Sequence, residues 1–431
     1  MNTNQIEYFD NYNKEVLRWG KLASWLMLFL LLPPIIGLPV VVYYIWNNKA
    51  KTKTDYYVFM FCVAIYLGAI NATKLPGGDQ MQYHMAYLNV PIHGFWYSLV
   101  NIYGYINPWE EVRTTISGEF MNGVYNYIGY YLTFGYYPLF EFIYTFISYL
   151  LLFTGLYKFC STFEEPHVPI VCGVLTIAFF YLYFQYTLQI QKQFFAQAII
   201  MYVIGDYAKN GKLYLRDWIA LFCAVFTHQS MLFFIPFLVL KRFRMQMNRG
   251  TELLILLVLG LLIYYGPSLL GGGSNNVSSN ALTYGVSRFA NSETNNDTKE
   301  NALVFSQVLV IALPMAFICW KKMMAYRRHF VASQSFLVVV VSLLLVTVMV
   351  MVKQPTAQYR FFMMLIAFMP FIYPMVFDNI KVRNYVLKVI AFVMIVWFFM
   401  QYEKIVWIYA PEMHIIFKNP ILLVATNYQG F

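Results

Sequence analysis

Apolar runs long enough to cross a bilayer recur along the whole chain, at Leu22–Trp46, Tyr56–Thr73, Val331–Val352 and Phe361–Phe377 among others. A crossing helix needs about 20 such residues. Short polar stretches separate the runs, and five of them are basic: Lys49/Lys51/Lys53, Lys209/Lys212/Arg216, Lys241/Arg242/Arg244/Arg249, Lys321/Lys322/Arg327/Arg328 and Lys381/Arg383/Lys388. Cytoplasmic loops of membrane proteins carry such an excess of Lys and Arg, which fixes a path for the chain.

With those stretches inside, the pattern predicts an all-α polytopic membrane protein of about ten transmembrane helices, residues 1–431 forming one transmembrane domain. The N-terminus, whose charges balance, is expected outside, followed by an uncleaved first span over Leu22–Trp46 kinked by Pro33, Pro34 and Pro39. The second span opens a long extracytoplasmic region, 75–137. A third span runs inward from Pro138 to Lys158, and two more cover Val168 to Tyr207, turning near Gln185–Lys192. The stretch 218–240 has basic clusters on both sides and Thr227-His228-Gln229-Ser230 at its centre. It reads as a re-entrant hairpin, since broken backbone at membrane depth needs protein or a wet cavity around it. Leu253–Leu270 leads out to a flexible Gly/Asn/Ser-rich extracytoplasmic loop, 271–301, and four further spans leave the tail outside.

Composition narrows the class. Of 431 residues, 60% are apolar and 12% charged, against about 25% charged in soluble domains. Seventeen of the 30 Lys and Arg sit in the five basic stretches, so the formal charge of +10 reflects topology and gives no footing for nucleic acid. The five cysteines form no close pair and show no zinc spacing.

The polar residues that break the pattern fall on the outer side of this path. Pro76-Gly77-Gly78 makes a turn that presents Asp79, a possible general base or simply a helix cap. Tyr83 and Tyr87 follow it, opening an aromatic region with Trp96, Trp109 and Tyr125 that suits either sugar binding or the membrane interface. Gln185, Gln189, Gln193 and Gln197 recur every four residues and should face the bundle, unless the turn interrupts them. Lys192 beside them can hold a phosphate or snorkel. His228 is ionisable at depth, hence a base, relay, phosphate donor or structural residue. Arg360 and Lys353 place two cations on an outer loop, where the arginine fork suits a diphosphate. Glu141 is a further possible base. No phosphate-cradling glycine loop, metal-ligand set or serine nucleophile motif is present.

Taken in order, Asp79 with Tyr83 and Tyr87, Lys192-Gln193-Phe194-Phe195-Ala196, His228-Gln229-Ser230 and Arg360-Phe361 resemble the EpsG-type and Wzy-type polysaccharide polymerases of bacterial surface glycans. The family usually has arginine where Lys192 stands. The resemblance implies a GT-C-like membrane glycosyltransferase of the bacterial cytoplasmic (inner) membrane, its site facing the periplasm or outside. It would use neither metal nor nucleotide sugar. It would polymerise polyprenyl-diphosphate-linked oligosaccharide repeats, donor and acceptor both lipid-linked, with a possible chain-length regulator as partner. It implies a diphosphate held by Lys192, Arg360 and Lys353, a base among Asp79, His228 and Glu141, and glycan contacts from Tyr83, Tyr87 and Gln193. A flippase of lipid-linked oligosaccharide and an O-antigen ligase are the rival readings.

Overall fold

The computed structural model describes residues 20–47, 52–75, 77, 79–101, 117–187, 190–239, 250, 254–255, 257–258, 261, 311–321, 332–350 and 355–426. Lys353, the loop 271–301 and the expected span Leu253–Leu270 as a whole lie outside the described residues. Among the described residues the chain is helical, with one isolated β-bridge, Lys74 to Tyr409.

Three helices are long and apolar enough to cross a membrane. α3 (Lys53–Asn71) starts in a capping box, in which Thr52 and Asp55 satisfy each other's backbone N–H groups. Its most apolar stretch is 83% buried, as expected of a helix that is apolar all round and surrounded by others. α7 (Tyr137–Cys160) has Pro138 in its first turn, where a missing N–H costs nothing. α16 (Ile380–Val406) is equally apolar but only 22% buried, so its outer face is the one offered to lipid.

The N-terminal run departs from the expected single span. It forms two short helices, α1 (Gly20–Leu31) and α2 (Pro34–Asn47), broken at Leu32–Pro33. Lys21 pairs with Asp55 at 2.7 Å, the Tyr44 hydroxyl donates to the same carboxylate, and the Trp25 and Tyr44 rings lie 4.7 Å apart. A straight helix would hold Lys21 and Tyr44 about 35 Å apart. The two arms therefore fold back as a hairpin, and Lys21 sits at the same end as Lys53. Two consecutive prolines remove adjacent backbone donors and push the preceding residue out of the helical region, which turns a kink into a reversal. The tip packs against Tyr66, whose hydroxyl occupies the space a Gly37 side chain would need.

The remaining helices alternate in direction. α8 (His167–Phe179), the short α9 (Tyr181–Tyr186), α10 (Gln191–Asn210) and α11 (Leu215–Thr227) follow α7. One end of the bundle is tied by ions. Asp206 of α10 accepts from Lys158 of α7 at 2.5 Å and from Arg216 of α11 at 2.7 Å. Arg383 reaches the carbonyls of Glu164 and Glu165 at 3.1 and 3.0 Å. This is the basic end. At the opposite, distal end the Val406–Thr426 segment ties back across the bundle. Leu75 N–H donates to the Ile408 carbonyl (2.9 Å), Ala410 N–H to Thr73 (3.0 Å), and the Tyr136 hydroxyl to Val424 (2.8 Å).

α7 and α10 touch backbone to backbone. A Cβ at Gly155 would sit 2.5 Å from the Met201 carbonyl oxygen, and one at Gly205 2.7 Å from the Gly155 carbonyl carbon. Small residues let apolar helices approach closely and gain van der Waals contact, the main attraction available in lipid.

Candidate functional site

The distal end gathers the residues that break the apolar pattern. α4 (Asp79–Leu88), α5 (Val90–Val100) and α6 (Met121–Leu132) cap this end as short helices. They meet the start of α10, the end of α11, and α15 (Pro355–Ile372); α12 (Ile235–Val239), α13 (Ile311–Lys321), α14 (Ala332–Val350) and α17 (Pro420–Ala425) complete the described helices.

α10 begins at Gln191, after a turn that separates Gln185 from Gln193 and Gln197 and so interrupts the amide stripe. The two amides left on the helix face the bundle. Gln193 donates to the Arg360 carbonyl at 2.8 Å, and Gln197 to the Met363 carbonyl at 3.4 Å. The start of α10 is thus bonded to the first turns of α15, which fixes the Arg360 backbone against Gln193.

Two ion pairs form the centre. Arg360 lies 3.7 Å from Asp79, both half-exposed, at 34% and 44%. Beyond hydrogen-bond distance, this is a loose pair. Lys192 is 2% exposed and donates to Glu119 at 2.5 Å. Its ammonium also lies over the Tyr83 ring, 5.5 Å from the centroid. Glu119, just before α6, accepts a second bond from the Gln229 backbone N–H at 3.2 Å. Burial alone would raise the Glu119 pKa. The Lys192 ammonium and the hydrogen bond from the Gln229 N–H act against that and hold it below the usual carboxylate range.

α11 ends at Thr227, and His228 adopts an extended conformation before a 3-10 turn, Gln229–Phe234. Thr227 bonds the Tyr125 hydroxyl of α6 at 3.2 Å. Beyond the break the Phe233 ring packs on Phe361 and the Phe234 ring on Phe368 of α15. The His228 ring caps the 3-10 turn: its Nδ1 accepts the Ser230 N–H at 3.3 Å and meets the Ser230 hydroxyl at 2.6 Å. A backbone N–H can only donate, so Nδ1 is an acceptor and the ring proton sits on Nε2. In this tautomer His228 offers a donor to the site, not a base.

Asp79, Tyr83, Lys192, Gln193, His228 and Arg360, which span most of the chain, therefore meet in one cluster. Two expected site residues do not join it. Glu141 is wholly buried beneath α4, accepting from Gln80 at 2.7 Å. Tyr87 is also wholly buried, its hydroxyl 2.6 Å from that of Thr133 and its ring among Tyr130, Tyr137 and Phe140. These contacts hold α4 on α6 and α7. Tyr83, 3% exposed, props Lys192, and Gln193 positions Arg360. Lys353 lies outside the described residues.

Glu119 had no signal in the sequence beyond lying in the outer region. Near it and Lys192, the buried amides of Asn122 and Asn126 on α6 and Gln191 on α10 have no hydrogen-bond partner among the described residues, and neither does the Gln193 Oε1. Unmade bonds of this kind cost about 1–3 kcal/mol each. Among the described residues no group of three or more His, Cys, Asp and Glu could hold a metal ion.

These features define an all-helical membrane protein with a paired, partly buried cationic cluster at one end of its bundle. The family model described as the EpsG family matches residues 93–416, three quarters of the chain. The chain belongs to the EpsG family. No curated protein and no solved structure matches it.

Proposed function

We propose that this protein polymerises polyprenyl-diphosphate-linked oligosaccharide repeats into a surface polysaccharide, on the extracytoplasmic face of a bacterial cytoplasmic membrane. The observation that carries this reading is the meeting of Asp79, Lys192 and Arg360 from three separate helices, with His228 at the break after α11, around two ion pairs, in a chain of the EpsG family. By the positive-inside rule the basic end is cytoplasmic and the cluster outside. Among the described residues the path then includes two re-entrant hairpins, α1–α2 from the cytoplasmic side and α11–α12 broken at His228.

Transfer of a glycan from a lipid diphosphate needs the leaving diphosphate stabilised and the acceptor hydroxyl deprotonated. Arg360 and Lys192 supply two cations of different kinds. The arginine fork is half-exposed at the rim and pairs two phosphate oxygens at once, while Lys192 is a buried point charge. Fixed cations in a water-poor setting stabilise developing negative charge strongly. The Nε2–H of His228 adds a neutral donor. The unpartnered amides of Asn122, Asn126 and Gln191 suit sugar hydroxyls, which both donate and accept.

The test is the surface-glycan profile on a gel after deletion and restoration of the gene. Loss of long chains with a single repeat still reaching its acceptor supports polymerisation. Loss of even the single repeat favours a flippase or ligase, and an unchanged ladder overturns the reading.

A further inference from the structure

The two cations assigned to the diphosphate are both engaged by carboxylates, but unequally. Asp79 is loosely set against Arg360 at the rim, whereas Glu119 binds Lys192 at 2.5 Å in a buried pocket. Glu119 is also anchored through its other oxygen by the Gln229 N–H. That bond holds it beside the break that carries His228. A diphosphate arriving at Lys192 brings more negative charge than one carboxylate, and it displaces Oε2 while the Gln229 N–H keeps Oε1 in place.

Resting on the polymerase reading, we propose that Glu119 is the catalytic base of the transfer, and that donor binding switches it on by taking Lys192 away from it. The acceptor hydroxyl oxygen attacks the anomeric carbon of the donor. The bond from that carbon to the diphosphate oxygen breaks and its electron pair leaves with the diphosphate, held by Lys192 and Arg360. The hydroxyl proton passes to the freed Oε2 of Glu119. No further reactant is needed.

While Lys192 holds Glu119, the carboxylate is a poor proton acceptor, because the same ion pair that stabilises it lowers its basicity. Once the ammonium turns to phosphate, burial acts in the opposite sense and the carboxylate becomes a better base. The acceptor is thus activated only when a donor is present, which disfavours idle hydrolysis. Asp79 is the weaker candidate because its open position leaves it solvated, and His228 because its Nδ1 is committed to Ser230.

The experiment uses the full-length protein in nanodiscs, with inorganic pyrophosphate as the probe, beside the glycan profile of a deletion strain carrying each variant. Glu119→Gln should bind pyrophosphate about tenfold more tightly, having lost one charge-assisted competitor for Lys192, yet yield no long glycan. Tight binding itself certifies that the variant is folded. Glu119→Asp should restore part of the polymer. Long glycan from Glu119→Gln, or pyrophosphate bound no more tightly than by the wild type, overturns the proposal. If instead the wild type binds no pyrophosphate and deletion leaves the ladder unchanged, the polymerase reading itself has failed.

Discussion

The contact between α7 and α10 permits a prediction with a built-in control. A Cβ at Gly155 would lie 2.5 Å from the Met201 carbonyl oxygen and 2.9 Å from the Tyr202 Cα, all rigid backbone. Ordinary contact starts near 3.4 Å, so the helices must part by about 1 Å. Gly205 meets the Gly155 backbone in the same seam. Overpacking of this kind costs about 1–3 kcal/mol, against a gain of about 1 kcal/mol from alanine's helix propensity. Gly155→Ala and Gly205→Ala should each destabilise by up to about 2 kcal/mol. The double variant should lose clearly less than their sum, because one separation of the helices makes room for both methyl groups. Gly173→Ala is the control. Its Cβ would meet the Leu156 Cδ2 at 2.8 Å and the Pro370 Cβ at 3.1 Å, side-chain atoms rather than helix backbone, the first being the end of a flexible side chain, so its cost should be near zero. Thermal denaturation in nanodiscs, followed by size-exclusion recovery, measures all four proteins. Lys192 lies 13 residues from Gly205, about 20 Å along α10, so glycan length per folded molecule should hold. Strict additivity of the two changes, or an equal loss from Gly173→Ala, would refute the account of the seam.

Other outcomes follow from the site and the termini. Arg360→Lys should insert normally but lose about tenfold or more of polymer, since an ammonium cannot grip two phosphate oxygens at once; the gel ladder reads this directly. With the native cysteines replaced by alanine, Ser24→Cys and Lys53→Cys should react with an impermeant maleimide from the same side of the membrane, whereas a single first span would place them on opposite sides. His84, stacked on Tyr137 with 3.9 Å between centroids, is held by burial down to about 4. Its folded pKa lies below the unfolded value of about 6.5, so its stabilising contribution is complete above pH 6.5 and lost as pH falls toward 4. Melting at pH 5 relative to pH 7.5 should therefore improve in His84→Phe, and an unchanged pH slope would count against it.

The sequence made some features plain and hid others for identifiable physical reasons. α3, α7 and α16 could be read because an apolar run of sufficient length has few other uses. The amides Gln193 and Gln197 were expected to face the bundle, and they bond carbonyls of α15. The N-terminal hairpin was misread because 25 apolar residues also fit one span. Its flanks, Lys21 on one side and Lys49 to Lys53 on the other, are basic at both ends, the same signature that marked 218–240. Glu119 could not be read, because nothing in its neighbourhood repeats or alternates. Its meaning arises only where α6, α10 and the His228 break come together. Glu141, one turn into α7, lies under α4 and accepts from Gln80.

The strap from Val406 to Thr426 ties back to segments far away along the chain, at Thr73, Leu75 and Tyr136. A frame closed in this way is insensitive to what is threaded between its fixed points. Loops there can lengthen, shorten or change composition while the cations keep their spacing. Under the proposed function, a protein built on this plan is free to alter the surfaces that read one sugar repeat or another while the two cations keep their places.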